Sequence, residues 1–190
     1  TKSLLSSTLG GEDAATPSPG AAVPGSPLRR IDSTLLHNLA PTRGPGGSER
    51  KLTPDDFEML CLVGGGAFGK VFQVKKRTCG SVYAMKVMKK DIIIERDQCD
   101  YMRAERDILT VIHHPYIVTL RYSFQTSQKL YLILDFINGG HLFFWLYRQG
   151  LFDTNLTRFY ASEIVCAISH LHSLNIMHRD LKPENILLDS

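Results

Sequence analysis

The sequence predicts an α+β fold in which a five-stranded antiparallel sheet with one helix is followed by a helical segment. Three observations predict it. Apolar runs at 57–63, 70–75 and 81–88 have strand character, and two more at 117–123 and 130–135 follow a single helical pattern. The turn Asn138-Gly139-Gly140 then closes the strand-rich region, and helical periodicity takes over beyond it. Ahead of both lies a Gly/Pro/Ser/Ala/Thr-rich stretch with too little apolar surface to offset the entropy of ordering it. The expected organisation is a disordered tail over 1–52, a small lobe over 53–136 and the start of a helical lobe over 137–190.

Each element has its own signal. Order begins at Leu52-Thr53-Pro54, where the apolar fraction rises, and the run from Phe57 to Val63 leads into glycines. Val71, Phe72 and Val74 mark the second strand, and Val82, Ala84, Met85 and Val87 the third. The helix expected over 97–112 places Met102, Glu105, Leu109 and Ile112 on one face, and His114-Pro115 ends it. A helix is predicted from about His141 to Arg148. A longer one starts near Asp153 or Thr154, both good N-caps, with Ala161, Ile164, Val165, Ile168 and Leu171 as its apolar face.

Composition narrows the classes. Apolar residues are 43% and charged residues 22% of the 190, as in a globular protein, and the net charge is +3. Basic residues alternate with acidic ones, so no block favours nucleic acid or an anionic membrane surface as partner. No apolar run reaches the ~20 residues of a membrane span. Cys61, Cys79, Cys99 and Cys166 lack the C-x-x-C pairing of a zinc site or disulfide frame and read as reduced thiols. The expected location is cytoplasmic, extending to the nucleus. Three proline-directed pairs, Thr16-Pro17, Ser18-Pro19 and Ser26-Pro27, are candidate phosphorylation points in the tail.

Three constellations carry chemistry. Val63, Gly64, Gly65, Gly66, Ala67, Phe68, Gly69, Lys70 and Val71 fit G-x-G-x-x-G-x-V, where missing side chains let backbone N–H groups approach phosphate oxygens. Alone this pattern is shared by ordinary turns and by the Rossmann loop. A Rossmann loop opens a helix, however, and this one leads into a strand-like run. Lys86 then stands inside an apolar strand, either as an exposed edge lysine or facing inward, where it needs an anion. Glu105, on the inner face of the next helix, is the natural partner, with nucleotide phosphates as the third member. The third constellation is His178-Arg179-Asp180-Leu181-Lys182-Pro183-Glu184-Asn185. Asp180 can take or orient the proton of an attacking hydroxyl, Lys182 can neutralise a moving phosphoryl group, and Asn185 can ligate magnesium.

Over residues 55–190 these motifs resemble those of eukaryotic protein kinases. Lys182-Pro183-Glu184 resembles the serine/threonine type, and the AERDIL, HHPYIV and LYLILDFINGGHLFF runs resemble the AGC group, most nearly the plant ribosomal protein S6 kinase branch. The resemblance implies a kinase-like small lobe followed by the start of the large lobe, transfer of the ATP γ-phosphate to protein serine or threonine hydroxyls, and use of Mg²⁺. Protein substrates and regulatory kinases are the implied partners. It further implies that Leu134 is the gatekeeper and that Asp135 and Ile137 offer backbone groups to adenine. Val71, Ala84 and Leu187 would enclose the base, and Leu109, Leu120 and His178 would belong to the regulatory spine. Glu184 would meet basic residues preceding the target.

Two residues depart from the group pattern. His141 stands where a glutamate often reads an arginine before the target, and Gly65 replaces a larger residue in the phosphate loop. The chain reaches Ser190 before the Asp-Phe-Gly segment that the resemblance leads one to expect. The sequence therefore reads as the front half of a kinase domain, with exposed apolar faces expected on the long helix and on 186–188. The competing expectation is a catalytically incompetent chain that at most binds nucleotide or kinase partners; a third is a tail acting as an interaction module. The paired histidines His113-His114 and His170/His172 lack carboxylates or cysteines at metal spacing and read as helix-end and helix-face residues.

Overall fold

The computed structural model describes residues 3–5, 51–66 and 69–189. The remainder of the expected tail, with its proline-directed pairs, lies outside the described residues. A 3-10 turn at Pro54–Asp56 is closed by the Thr53 amide donating to the Asp56 carboxylate at 2.8 Å. It leads into β2 (Phe57–Gly66), β3 (Gly69–Lys76) and β4 (Val82–Lys89). Helices α1 (Lys90–Glu95) and α2 (Cys99–Val111) follow, then β5 (Leu120–Gln125) and β6 (Lys129–Asp135). These five strands form one antiparallel sheet in the order β2-β3-β4-β6-β5. The expected fold class is borne out, with one addition: the small lobe carries a second, short helix, α1, where one was expected.

The register divides the sheet into two chemical faces. Directly opposed residues share a face, so Val71 opposite Lys86, Ala84 opposite Leu134 and Lys86 opposite Leu132 line one side. On that side α2 packs Met102 with Met88, Ile93 and Leu132. The other face buries Val74, Met85 and Ile133 beneath Phe57 and Tyr131. Its aromatic rings stack in sequence, Phe57 on Phe124 at 5.9 Å and Phe124 on Tyr131 at 4.9 Å.

Helices α3 (Leu142–Gln149) and α4 (Thr154–Ser173) build the large lobe, and β7 (Ile186–Leu188) ends the described chain. Asp153 caps α4 by accepting the Leu156 amide at 2.7 Å, as expected of that residue. The apolar face of α4 is rotated from the expected one. Ala167 and Leu171 are buried, with Tyr160, Ile164 and Ile168 packed beside them, whereas Ala161 is exposed and Val165 is 64% exposed. The buried Glu163 occupies this face and interrupts its apolar pattern. Exposure of Phe159 and Val165 follows the expectation for the long helix. The strand does not: Ile186 and Leu188 are buried. A short β1 (Ser3–Leu5) pairs antiparallel along β7. Those three residues depart from the disordered tail expected over 1–52, because an unpaired strand edge offers their backbone a ladder.

Two contacts join the lobes. Ile112 and Ile117, from the α2–β5 connection, enter one cluster with Leu142, Ala167, Leu171, Ile186 and Leu188. The segment after β6 is stitched to β7: the Gly139 amide donates to the Leu188 carbonyl, and the Leu188 amide donates to the Gly140 carbonyl, both at 2.8 Å. A Cβ on Gly139 would stand 2.3 Å from the Leu188 oxygen, so the backbones approach this closely only because the residue is glycine. Gly139→Ala is expected to destabilise the protein by about 1–3 kcal/mol through this clash. Thermal unfolding would show it as a lower Tm.

Candidate nucleotide and phosphoryl-transfer site

The glycine motif occupies the end of the β2–β3 hairpin, with Gly64 opposite Val71, Gly65 opposite Lys70 and Gly66 opposite Gly69. Register shifts between Met59 and Cys61 and between Leu62 and Gly64 add twist to this arm. Ala67 and Phe68 lie outside the described residues. Nothing lies within 4 Å of where Cβ atoms on Gly64 and Gly65 would sit. Side chains there would fill space that phosphates require, so this part of the loop fits a nucleotide. Gly69 has a different reason to be glycine: its Cβ would collide with the Val87 carbonyl, 1.9 Å away, in the neighbouring strand. Val63 is 53% exposed, and Val71, Ala84, Leu134 and Leu187 are half-buried, as befits walls that a base would cover.

Lys86 faces inward. Its Nζ meets Glu105 Oε1 at 3.0 Å, with the side chains 13% and 8% exposed. Lys86 is fixed by the β4 register and Glu105 by the inner face of α2, so the pair ties helix to sheet. Removing one partner of such a pair leaves a buried charge uncompensated, at a cost of about 3–5 kcal/mol. The edge-lysine alternative is therefore excluded.

At the other end of the cleft the Asp180 loop is internally braced. Arg179 adopts φ 64, which turns the chain sharply between His178 and Asp180. Asn185 is fully buried, and its Nδ2 donates to the Asp180 carbonyl at 2.7 Å and to Asp180 Oδ2 at 2.9 Å. Lys182 Nζ lies 3.2 Å from Asp180 Oδ1. Both carboxylate oxygens are thus held, while the residue stays exposed to a substrate. The Asn185 Oδ1 atom is buried and has no hydrogen-bond partner among the described residues. An amide oxygen so placed is a hard donor of the kind magnesium selects, and the residue fits the role the sequence assigned to it. Pro183–Asn185 forms a 3-10 turn that delivers the chain into β7, in which Leu187 stands second.

The segment after β6 is where the resemblance places the contacts to an adenine edge. The Asp135 amide donates to the Thr119 carbonyl at 3.2 Å. Its carboxylate is bound by Arg121 through two bonds, Nε to Oδ1 at 2.6 Å and Nη2 to Oδ2 at 2.9 Å. Ile137 is half-buried just beyond. No local pattern announces the Arg121 brace, whose members sit on neighbouring strands. His141 caps α3, its Nδ1 accepting the Phe144 amide at 3.1 Å, and its backbone bridges to Leu187. The residue that departs from the group pattern thus has a structural task beside the cleft. Glu184 is exposed.

The family comparison agrees with this geometry. Residues 57–190 match the protein kinase domain. The chain is 65% identical over 136 residues to the serine/threonine-protein kinase AtPK1/AtPK6 of Arabidopsis thaliana, covering 72% of this chain and 29% of that protein. It is 54% identical over 143 residues to protein kinase 2 of Dictyostelium discoideum, covering 75% and 30%. Against the serine/threonine-protein kinase Sgk3 of Rattus norvegicus it is 49% identical over 154 residues, covering 80% and 30%. The chain belongs to the protein kinase family, and these similarities lie with its AGC-type serine/threonine members, as the motifs indicated. It spans less than a third of the length of these relatives.

Two outcomes are expected of this site. Asn185→Ala removes both bonds to Asp180 from a buried position and should cost about 2 kcal/mol of stability, read as a fall in the denaturation midpoint. His178 is held below its ordinary value mainly by burial, with the Asp180 charge opposing. The native state then binds fewer protons at this position than the unfolded chain, so its contribution is complete above pH 6.5 and declines as pH falls below it. Unfolding midpoints at pH 7.5 and 5.5 should differ less in His178→Phe than in the parent chain.

Proposed function

We propose that this protein is the phosphoryl-transfer part of a serine/threonine protein kinase, moving the γ-phosphate of ATP to a protein hydroxyl. The observation that carries the reading is the braced Asp180, whose two oxygens are held by Asn185 and Lys182 while its outer side stays open. In the transfer, the oxygen of a serine or threonine bonds to the γ-phosphorus, the bond from that phosphorus to the β–γ bridging oxygen breaks, and ADP leaves. Asp180 orients the hydroxyl and receives its proton, and Lys182 offsets the negative charge of the moving group. Lys86, positioned by Glu105, binds the non-transferred phosphates, and Gly64 to Gly69 cover them with backbone donors. Asp135 and Ile137 address the adenine edge through their backbone, between Val71, Ala84 and Leu187. Asn185 would hold magnesium, which when bound neutralises phosphate charge.

The S6-kinase-branch resemblance supports a finer reading. Targets would be protein segments with basic residues before the acceptor, met by the exposed Glu184. His141 cannot supply the second carboxylate that commonly serves this preference. Upstream regulatory kinases and a cytoplasmic and nuclear location belong to the same reading.

The test is transfer from labelled ATP to a basic serine/threonine peptide, with magnesium-ATP affinity measured in parallel. Asp180→Asn should lower the rate by about 10²–10⁴-fold with affinity nearly unchanged. Equal rates in the two proteins would refute the role of Asp180. Binding without transfer in the parent chain would leave it a nucleotide binder.

A further inference from the structure

Beside the apolar junction of Ile112 and Ile117 with α4 lies a polar one. His114, in the α2–β5 connection, stacks on His170 of α4, with ring centroids 4.8 Å apart and planes 23° from parallel. The His114 Nδ1 accepts the Tyr116 amide at 3.2 Å, and the two rings of that pair lie 5.6 Å apart. Accepting that bond requires a lone pair on Nδ1, which the neutral ring supplies and the protonated ring lacks. The Nε2 of His170 is buried and has no hydrogen-bond partner among the described residues. Protonating His114 would set an N–H against the Tyr116 N–H.

Among the described residues, no carboxylate is hydrogen-bonded to His114 to offset such a charge. On the loop side His113, His114 and Arg121 line a hollow of about 390 Å³ with Pro115 and Thr119. The His113 Nδ1 is tied to the Ile112 carbonyl at 2.6 Å, and Arg121 is bound by Asp135. Along α4, Glu163 lies two turns before His170 and acts on Tyr160. Of the other elements packed with α4, β1 is Ser-Leu-Leu, and α3 and β7 contribute the apolar Leu142, Trp145, Ile186 and Leu188. Burial first, and the charge of His170 second, hold His114 below its ordinary value.

The loop that carries His114 continues from the C-terminal end of α2, the helix that presents Glu105 to Lys86. We propose that the His114–His170 stack is a proton-sensitive clasp between the lobes, closed while His114 is neutral and released by its protonation, so that acidification frees the end of α2. Because His114 is depressed in the folded state, the clasp contributes fully above pH 6.5 and is lost as pH falls below it. His178 acts in the same direction, so variants must separate the two.

The test compares the full chain with His114→Phe and His170→Phe, which keep an aromatic ring in place, and with His172→Phe, exposed on the same helix. The parent and His172→Phe should lose about 3 °C more in Tm between pH 7.5 and 5.5 than His114→Phe does. NMR titration of labelled histidines should show His114 below its ordinary value in the parent and moved upward in His170→Phe. Amide shifts over 105–111 should change across the same interval in the parent and stay still in His114→Phe. Equal Tm losses in all four proteins, or an ordinary His114 titration in the parent, would overturn the proposal. Should His114→Phe fail to fold, the parent titration and the His170→Phe comparison still decide it.

Discussion

Ile112 and Ile117 leave the small lobe and bury themselves among Leu142, Ala167, Leu171, Ile186 and Leu188, and the placement of every group in the cleft depends on that burial. The two halves of the chemistry sit on separate elements. Lys86 and Glu105 belong to sheet and helix, while Asp180 and Asn185 belong to a loop held by β7. Their relative position is set by the apolar junction on one side and by the Gly139–Leu188 stitch on the other. Both contacts rest on backbone bonds or packed side chains, so they define an orientation that surface charge pairs, each worth about 1 kcal/mol or less, could not.

Within this frame the charged residues are arranged to hold one another. Glu105 offsets Lys86 in a poorly solvated place, Lys182 offsets Asp180, and Arg121 offsets Asp135 at the segment that would meet a base. The cost of ordering these side chains is borne by folding, so the site stands ready before anything binds.

Much of this was legible in the sequence. Alternation in β2 to β6 and the spacing of Met102 and Glu105 reported the sheet and α2 to within a few residues, because those patterns are consequences of one buried face. The glycine loop, Lys86 and the Asp180 string were legible because phosphate chemistry restricts residue types tightly. What escaped has physical reasons. Helix α1 is six residues with three successive isoleucines, a β-branched run without helical signature. The face of α4 was misjudged because a glutamate occupies it. The strand at Ser3–Leu5 has only Leu4 and Leu5 to announce it. His141 as a cap, the Arg121–Asp135 brace and the His114–His170 stack depend on tertiary neighbours that no local pattern encodes.

Trp145 is the chain's single tryptophan, and its indole Nε1 donates to the Gly139 carbonyl at 2.7 Å. That carbonyl belongs to the residue whose amide is stitched to β7, so the chromophore is bonded directly to the seam between the lobes. Indole emission depends on the polarity and hydrogen bonding of its surroundings. The protein therefore has a built-in optical gauge of its own seam, free of any label or overlapping tryptophan signal, through which movements of one lobe against the other can be followed in solution.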